Sequence, residues 1–370
     1  MGILKFDCEC NLTHYVDGNG EGTYDSLLPS LQVDIAMQCL AWASRSYYSV
    51  LASLNTWFND PVQSGYLYRL KRQLGIGERW IYMACNLVDW EAFDPKRQRW
   101  MRFPRMPLDD CFNLSDKESL SVGTQLLAFG KELFEFAIWK YSLLTHSWLR
   151  GAGMASSRCL FGSSSYGEIV IVAGGCDREG VLKSAELYNS ELGTWETLPE
   201  MHSPRKLCSA FFMDGKFYVI GGVSSNMTSD SLTCGEEYNL QQRTWRRIPN
   251  MFPPGNRAAH APPLVAVANN ELYAVEYSQN EVKKYNKATN SWHTFGMLPL
   301  RAVSANGWGL ACKAYGNELI VIGGQRGQEG ERIVLNSCQP TADGRTPEWE
   351  ELAVKQHSGA FVYNCAVMGC

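Results

Sequence analysis

Tryptophan returns along this chain at a nearly constant interval. Trp100, Trp148, Trp195, Trp245, Trp292 and Trp349 are spaced by 48, 47, 50, 47 and 57 residues. Seven residues before each of the first five stands another aromatic: Phe93, Tyr141, Tyr188, Tyr238 and Tyr285. Four of these open the dipeptides "FD", "YN", "YN" and "YN", and the exception is "YS" at 141. The sixth unit has Leu335-Asn336, and about seven extra residues in "CQPTADGRTPEW" account for its longer interval. A period of this length, kept in register, implies one supersecondary unit per repeat, buried by stacking on its neighbours.

In three units an apolar, β-branched run ends in Gly-Gly: "IVIVAGG" (Gly174, Gly175), "FYVIGG" (Gly221, Gly222) and "LIVIGG" (Gly323, Gly324); the second unit has a degenerate "LLAFGKE" and the fifth "LYAVEY". Such a pair could open a phosphate-binding loop. That requires G-x-x-x-x-G-K-[ST], and "VSSN" follows Gly222 instead. The glycines therefore read as punctuation, where a missing Cβ permits φ > 0 or close approach of a neighbouring sheet. Another apolar stretch, closed by a turn such as "MDGK", "YGNE" or "ANNE", precedes each run. Each unit is thus predicted to hold four short strands, with Tyr and Trp packing between sheets.

Four-stranded units of this length describe a β-propeller. The Gly-Gly, Tyr188, Trp195, Tyr238, Trp245, Tyr285 and Trp292 at these positions resemble the kelch repeat, over roughly residues 79–370. The first unit, "WIYMACNLVDWEAFDPKRQRWMRFP", lacks an inner strand ahead of it, and "SGAFVYNCAVMGC" is a C-terminal strand with no unit after it. The last strand is expected to complete the first blade and close a ring of six.

Residues 24–78 have a different period. Tyr47, Val50, Leu51, Leu54 and Phe58 fall on one face of a helix. Ile35, Met37, Leu40 and Ala41 predict a shorter helix before it, and Leu67, Leu70 and Leu74 one after it. The order of "LLPSL", "DIAMQCLAW" and "YYSVLASLNTWF" is similar to an F-box. Followed by kelch-like units, the whole chain beyond its first two dozen residues resembles the plant F-box/kelch-repeat family. The expected fold is mainly β: a flexible tail at 1–23, an α-helical F-box at 24–78, and a six-bladed kelch-type β-propeller at 79–370. The resemblance implies a non-catalytic substrate receptor of an SCF-type ubiquitin ligase. Its F-box would dock a Skp-type adaptor and, through it, a cullin, while the propeller holds the protein to be ubiquitinated. The alternative is a kelch scaffold without a ligase role.

Composition narrows the other classes. A net charge of −4 and a pI near 5.9 argue against a general nucleic-acid or membrane-surface binder. No run approaches the roughly 20 apolar residues of a membrane helix, and "MGILKFDCEC" lacks the apolar core of a signal peptide. Thirteen cysteines are scattered without paired metal spacing, which suggests reduced thiols in the cytosol or nucleus. The sequons at Asn11, Asn113 and Asn226 would then stay unmodified. The six histidines are dispersed, and no sialidase box, G-x-S-x-G or H-E-x-x-H is present. No metal, cofactor or catalytic residue is expected.

Two surfaces are candidates for binding. For the adaptor these are Leu28, Pro29, Ile35, Leu40 and Trp42, apolar positions that a three-helix unit cannot all bury. For the substrate, an Arg follows four of the tryptophans by nine to twelve residues: Arg158, Arg205, Arg257 and Arg301. These guanidiniums would either line the mouth for an acidic partner or hold the ring together through carbonyls of the neighbouring blade. Trp308 in "NGWGL" would be a rim anchor or core. The loops "CDREGVLK", "VSSNMTSDSLTC" and "QRGQEGER" would carry specificity.

Overall fold

The computed structural model describes residues 28, 31–84, 89–107, 112, 118–133, 135–225, 231–252, 261–299, 308–327, 330–341, 347–356 and 359–369. Among these, the strands form six four-stranded sheets. Blade 3 shows the plan: Gly162–Tyr166, Ile169–Ala173, Ala185–Asn189 and Thr194–Leu198 follow one another outward from the central channel. Blades 2, 4, 5 and 6 repeat it from innermost strands beginning at Glu118, Lys206, Leu264 and Ala311. Blade 1 takes its innermost strand, Asn364–Gly369, from the end of the chain. That strand runs antiparallel to Arg79–Ala84, in register from Arg79 opposite Gly369 to Ala84 opposite Asn364. Ring closure is a strand pairing.

Side-chain alternation along each strand feeds two cores, one on each face of the blade. In blade 1, Ile81 and Met83 pack toward blade 6, whereas Tyr82 and Ala84 pack toward blade 2. Clusters of this kind fill all six inter-blade gaps. Each blade therefore buries its apolar surface against its neighbours, and blades 1 and 2 also pack against the N-terminal helices.

The repeat's signature residues have distinct duties. Tyr188 and Trp195 are directly opposite across the outer two strands of blade 3, with ring centroids 5.0 Å apart. The same pairing recurs as Tyr238–Trp245 at 4.9 Å and Tyr285–Trp292 at 5.3 Å. Each indole N–H donates to a carbonyl ahead of its own blade's first strand: Trp148 to Pro104, Trp195 to Ala152, Trp245 to Pro199, and Trp292 to Met251. The residue after the aromatic caps the turn between the outer strands. Oδ1 of Asn189, Asn239 and Asn286 accepts two successive backbone N–H groups. Asp94 and the Ser142 hydroxyl do the same, which is why "FD" and "YS" substitute for "YN".

Gly221 and Gly222 have φ of +66° and +85°, the left-handed region that glycine enters without penalty. Gly323 and Gly324 behave differently, continuing an extended strand, Glu318–Gly327. At Gly324 the constraint is space, because a Cβ would collide with the Ala360 carbonyl.

The helical segment comprises α1 (Val33–Trp42), a 3-10 turn (Arg45–Tyr47), α2 (Tyr48–Ala52), α3 (Thr56–Gln63) and α4 (Tyr66–Gln73). The single helix expected through Tyr47–Phe58 is broken at Ser53–Asn55, where Asn55 accepts the Phe58 N–H and starts α3. A side-chain cap of that kind competes with helix continuation.

Candidate functional site

The propeller has two distinct ends, set by the polarity of the innermost strands. Those strands begin at one mouth of the channel and turn back at the other. The helices sit at the turning end: Gly65 abuts Leu144 in the outer turn of blade 2. Arg72 pairs with Glu168 in the inner turn of blade 3, and Arg97 in the outer turn of blade 1 reaches Glu78 at 3.4 Å. The opposite mouth, lined by the first residues of the innermost strands, faces away from the helices.

The helices bury one face and expose another. Ala36, Met37, Leu40, Tyr48, Val62, Leu67 and Tyr68 enter a core shared with blades 1 and 2. Outward, Trp42 is 72% exposed, Trp57 61% and Ile35 46%, alongside Val33, Tyr47, Val50 and Leu54. These side chains are apolar surface that the rest of the chain leaves uncovered, the kind of patch at which partners dock. Of the residues singled out in the sequence, Ile35 and Trp42 belong to it. Leu40 belongs instead to the buried core, since it lies on the α1 face with Ala36 and Ala41, and Leu28 packs partly against the same core. Pro29 lies outside the described residues. Tyr47, Val50 and Leu54, placed by the sequence on one apolar helix face, are exposed, because apolar periodicity does not say what covers such a face.

The helices are fastened to the propeller by polar groups. Glu78, just before blade 1, accepts from Lys71 Nζ at 3.1 Å, the Ser44 hydroxyl at 3.0 Å and the Arg45 N–H at 3.3 Å. Burial works to raise the Glu78 carboxyl, but Lys71, the Ser44 hydroxyl and Arg97 hold it below the usual carboxylate range. Burial pulls the Lys71 ammonium below its ordinary value despite Glu78.

At the far mouth a cavity of about 320 Å³ draws on the innermost strands of all six blades. Trp308, Phe361 and Tyr363 stand on its rim, with Ser163, Ser209 and Lys313 lining it. Phe361 and Tyr363 are both 39% exposed, with rings 4.7 Å apart. Trp308 is half-buried, and the following Gly309 packs so closely on Phe361 that a Cβ would strike its ring.

Arg158 and Arg205 are not rim side chains. Both guanidiniums are fully buried and paired, Arg158 with Glu186 at 2.6 Å and Arg205 with Glu236 at 2.8 Å. Each also donates to carbonyls of its own blade, Arg158 to Gly174 and Ser184, and Arg205 to Gly221 and Cys234. The carboxylates accept further N–H groups, from Ala155 and Ser156 on Glu186 and from His202 and Ser203 on Glu236. Burial opposes ionisation of Glu236, but the His202 N–H and Arg205 keep its carboxyl below the ordinary range. These arginines bind within the blade rather than across to the next. The signal for that was a Glu two residues before Tyr188 and Tyr238. The units of Arg257 and Arg301 carry Lys283 and Ile333 at that position, and both arginines lie outside the described residues.

Among the described residues, no cluster of three or more His, Cys, Asp or Glu could hold a metal. No helix among them is long and apolar enough to cross a membrane.

The fold and its two ends define a β-propeller with an appended helical module. The kelch motif model matches residues 157–202 and 204–252, which are blades 3 and 4, where Gly-Gly, buried Arg–Glu pair, Tyr and Trp are all retained. Across 364 residues the chain is 52% identical to F-box/kelch-repeat protein SKIP11 of Arabidopsis thaliana, covering 96% of this chain and 77% of that protein. It is 49% identical to F-box/kelch-repeat protein At1g26930 of the same plant, covering 96% and 86%. F-box/kelch-repeat protein At3g27150, also of that plant, is 37% identical over 92% and 83%. The chain belongs to the F-box/kelch-repeat protein family.

Proposed function

We propose that this chain is the substrate receptor of an SCF-type ubiquitin ligase, acting in the cytosol or nucleus. The observation that carries the reading is the separation of its two surfaces. An exposed apolar face on the F-box, around Ile35, Trp42 and Trp57, lies at one end of the channel, and an aromatic-rimmed mouth lies at the other. The apolar face takes a Skp-type adaptor and thereby a cullin. The mouth and its neighbouring loops, including "CDREGVLK", hold the protein to be ubiquitinated. Family membership supports a protein-binding, non-catalytic role, because function in this fold resides in surfaces rather than in the propeller frame.

Because the helices share a core with blades 1 and 2, surface substitution tests this better than deletion. The full chain should capture a Skp-type adaptor and a cullin from plant extract. Ile35→Asp combined with Trp42→Ala should reduce that capture at least about tenfold without lowering the melting temperature. Retention of both partners by the double variant would remove this face from the mechanism. Failure of the unaltered chain to capture them would favour the kelch scaffold reading.

A further inference from the structure

Cys159 and Cys176 face each other across an antiparallel bridge, just before the innermost strand of blade 3 and just after its second strand. Each backbone N–H donates to the other's carbonyl, at 3.0 and 2.9 Å, and the two sulfurs are 3.6 Å apart. A hydrogen-bonded antiparallel pair holds its Cα atoms about 5.5 Å apart. That lies within the roughly 4.4–6.8 Å window a disulfide requires. Side-chain rotation alone would bring these sulfurs to bonding distance.

The other described cysteines differ. Cys208, Cys312, Cys338 and Cys365 are buried, and burial pushes their thiols up to about 11 or 12. Cys234 is buried, and Cys39 is exposed on α1. Cys159 and Cys176 combine a juxtaposed partner with half-exposure to solvent.

We propose that Cys159 and Cys176 form a reversible thiol–disulfide modification site whose oxidant is glutathione disulfide or a small disulfide of that class. One thiolate attacks the oxidant, forming a mixed disulfide and releasing one glutathione thiolate. The second cysteine, as its thiolate, attacks the protein sulfur of that bond and expels the other glutathione. Two protein thiols and one glutathione disulfide become one protein disulfide and two glutathione thiols. Two electrons pass to glutathione, and both thiol protons are released to it. The bond clasps the entry of blade 3 to the root of the 176–183 loop, where Cys176 also bridges Val181. This loop stands on the mouth side, so oxidation stiffens a surface remote from the F-box. The inference is independent of the ligase reading.

The test equilibrates the full chain in glutathione buffers of graded thiol-to-disulfide ratio, followed by acid quench, alkylation and peptide mapping. No Lys or Arg lies between Cys159 and Arg178, so trypsin leaves both cysteines in one fragment, and cleavage after Glu168 separates them. In oxidising buffer the fragment should be about 2 Da lighter and take no alkyl group. Its two halves should stay joined until reduced, and Cys159→Ser should leave Cys176 as a glutathione adduct. Two alkyl groups in every buffer, or glutathione adducts without linkage, would overturn the proposal.

Discussion

The guanidinium carbon of Arg45 lies 3.5 Å from the centre of the Trp80 ring, and its Nη2 donates to the Tyr82 hydroxyl at 3.0 Å. Arg45 belongs to the F-box, and Trp80 and Tyr82 to blade 1, so one side chain couples the two parts. Arg45→Ala should destabilise the chain by about 2 kcal/mol, by losing a desolvated cation–π contact and the hydrogen bond to Tyr82. Arg45→Lys should recover only part of this, since an ammonium lacks the planar face that covers the indole. Denaturant unfolding checks both, and the shared core requires one transition in the unaltered chain. Two separated transitions would disprove the coupling.

Buried and exposed ion pairs should separate cleanly. Arg205→Met leaves Glu236 in a site where both side chains are fully buried, and should lose roughly 3–5 kcal/mol. Lys183→Met removes a pair whose members are 51% and 57% exposed, and should change stability by less than about 1 kcal/mol. Equal losses from the two would mean that Arg205 does not hold the blade.

Glu237 predicts an acid-sensitive step. Burial raises its carboxyl, but hydrogen bonds from Arg246, Lys216 and Tyr218 prevail and bring it down to about 2. Its folded value is depressed, so the stabilisation is full above the unfolded carboxylate range near pH 4.5. It is lost as pH falls from there toward 2. With Arg246 and Lys216 partly exposed, the contribution is about 1–2 kcal/mol. Stability measured from pH 7 to 3 should show Glu237→Gln less stable at neutral pH, with the gap closing on acidification. A gap independent of pH would refute the assignment.

Gly222 and Gly167 separate backbone conformation from crowding. Both have positive φ, +85° and +61°. A Cβ on Gly222 would lie 2.6 Å from the Lys206 carbonyl oxygen, while on Gly167 it would meet nothing within 4 Å. Gly167→Ala should cost about 1 kcal/mol for the left-handed backbone alone. Gly222→Ala should cost about 2 kcal/mol more, because the innermost strand must shift. Thermal melts of the two variants give the comparison directly.

The features legible in the sequence are those that each blade repeats within itself. Tyr188 and Trp195 are seven residues apart because they are opposite across one hairpin, and Asn189 follows because its side chain closes that hairpin's turn. Such local chemistry recurs at a fixed offset, so blade number, strand count and the borrowed C-terminal strand could all be anticipated. The F-box was recognisable from the order of its apolar runs.

Tertiary structure decided where those side chains point. By sequence Arg158 and Arg205 could either face a partner or brace the neighbouring blade, yet Glu186 and Glu236, separated from them by 28 and 31 residues, draw them inside their own blades. Leu40 and Ile35 share one short helix, but one packs against α4 and the propeller core while the other faces solvent. Cys159 and Cys176 are unremarkable until the sheet brings their sulfurs together. Periodicity records that a residue is apolar, charged or repeated. Which surface covers it depends on contacts between segments distant in the chain, and those exist only once the ring has closed.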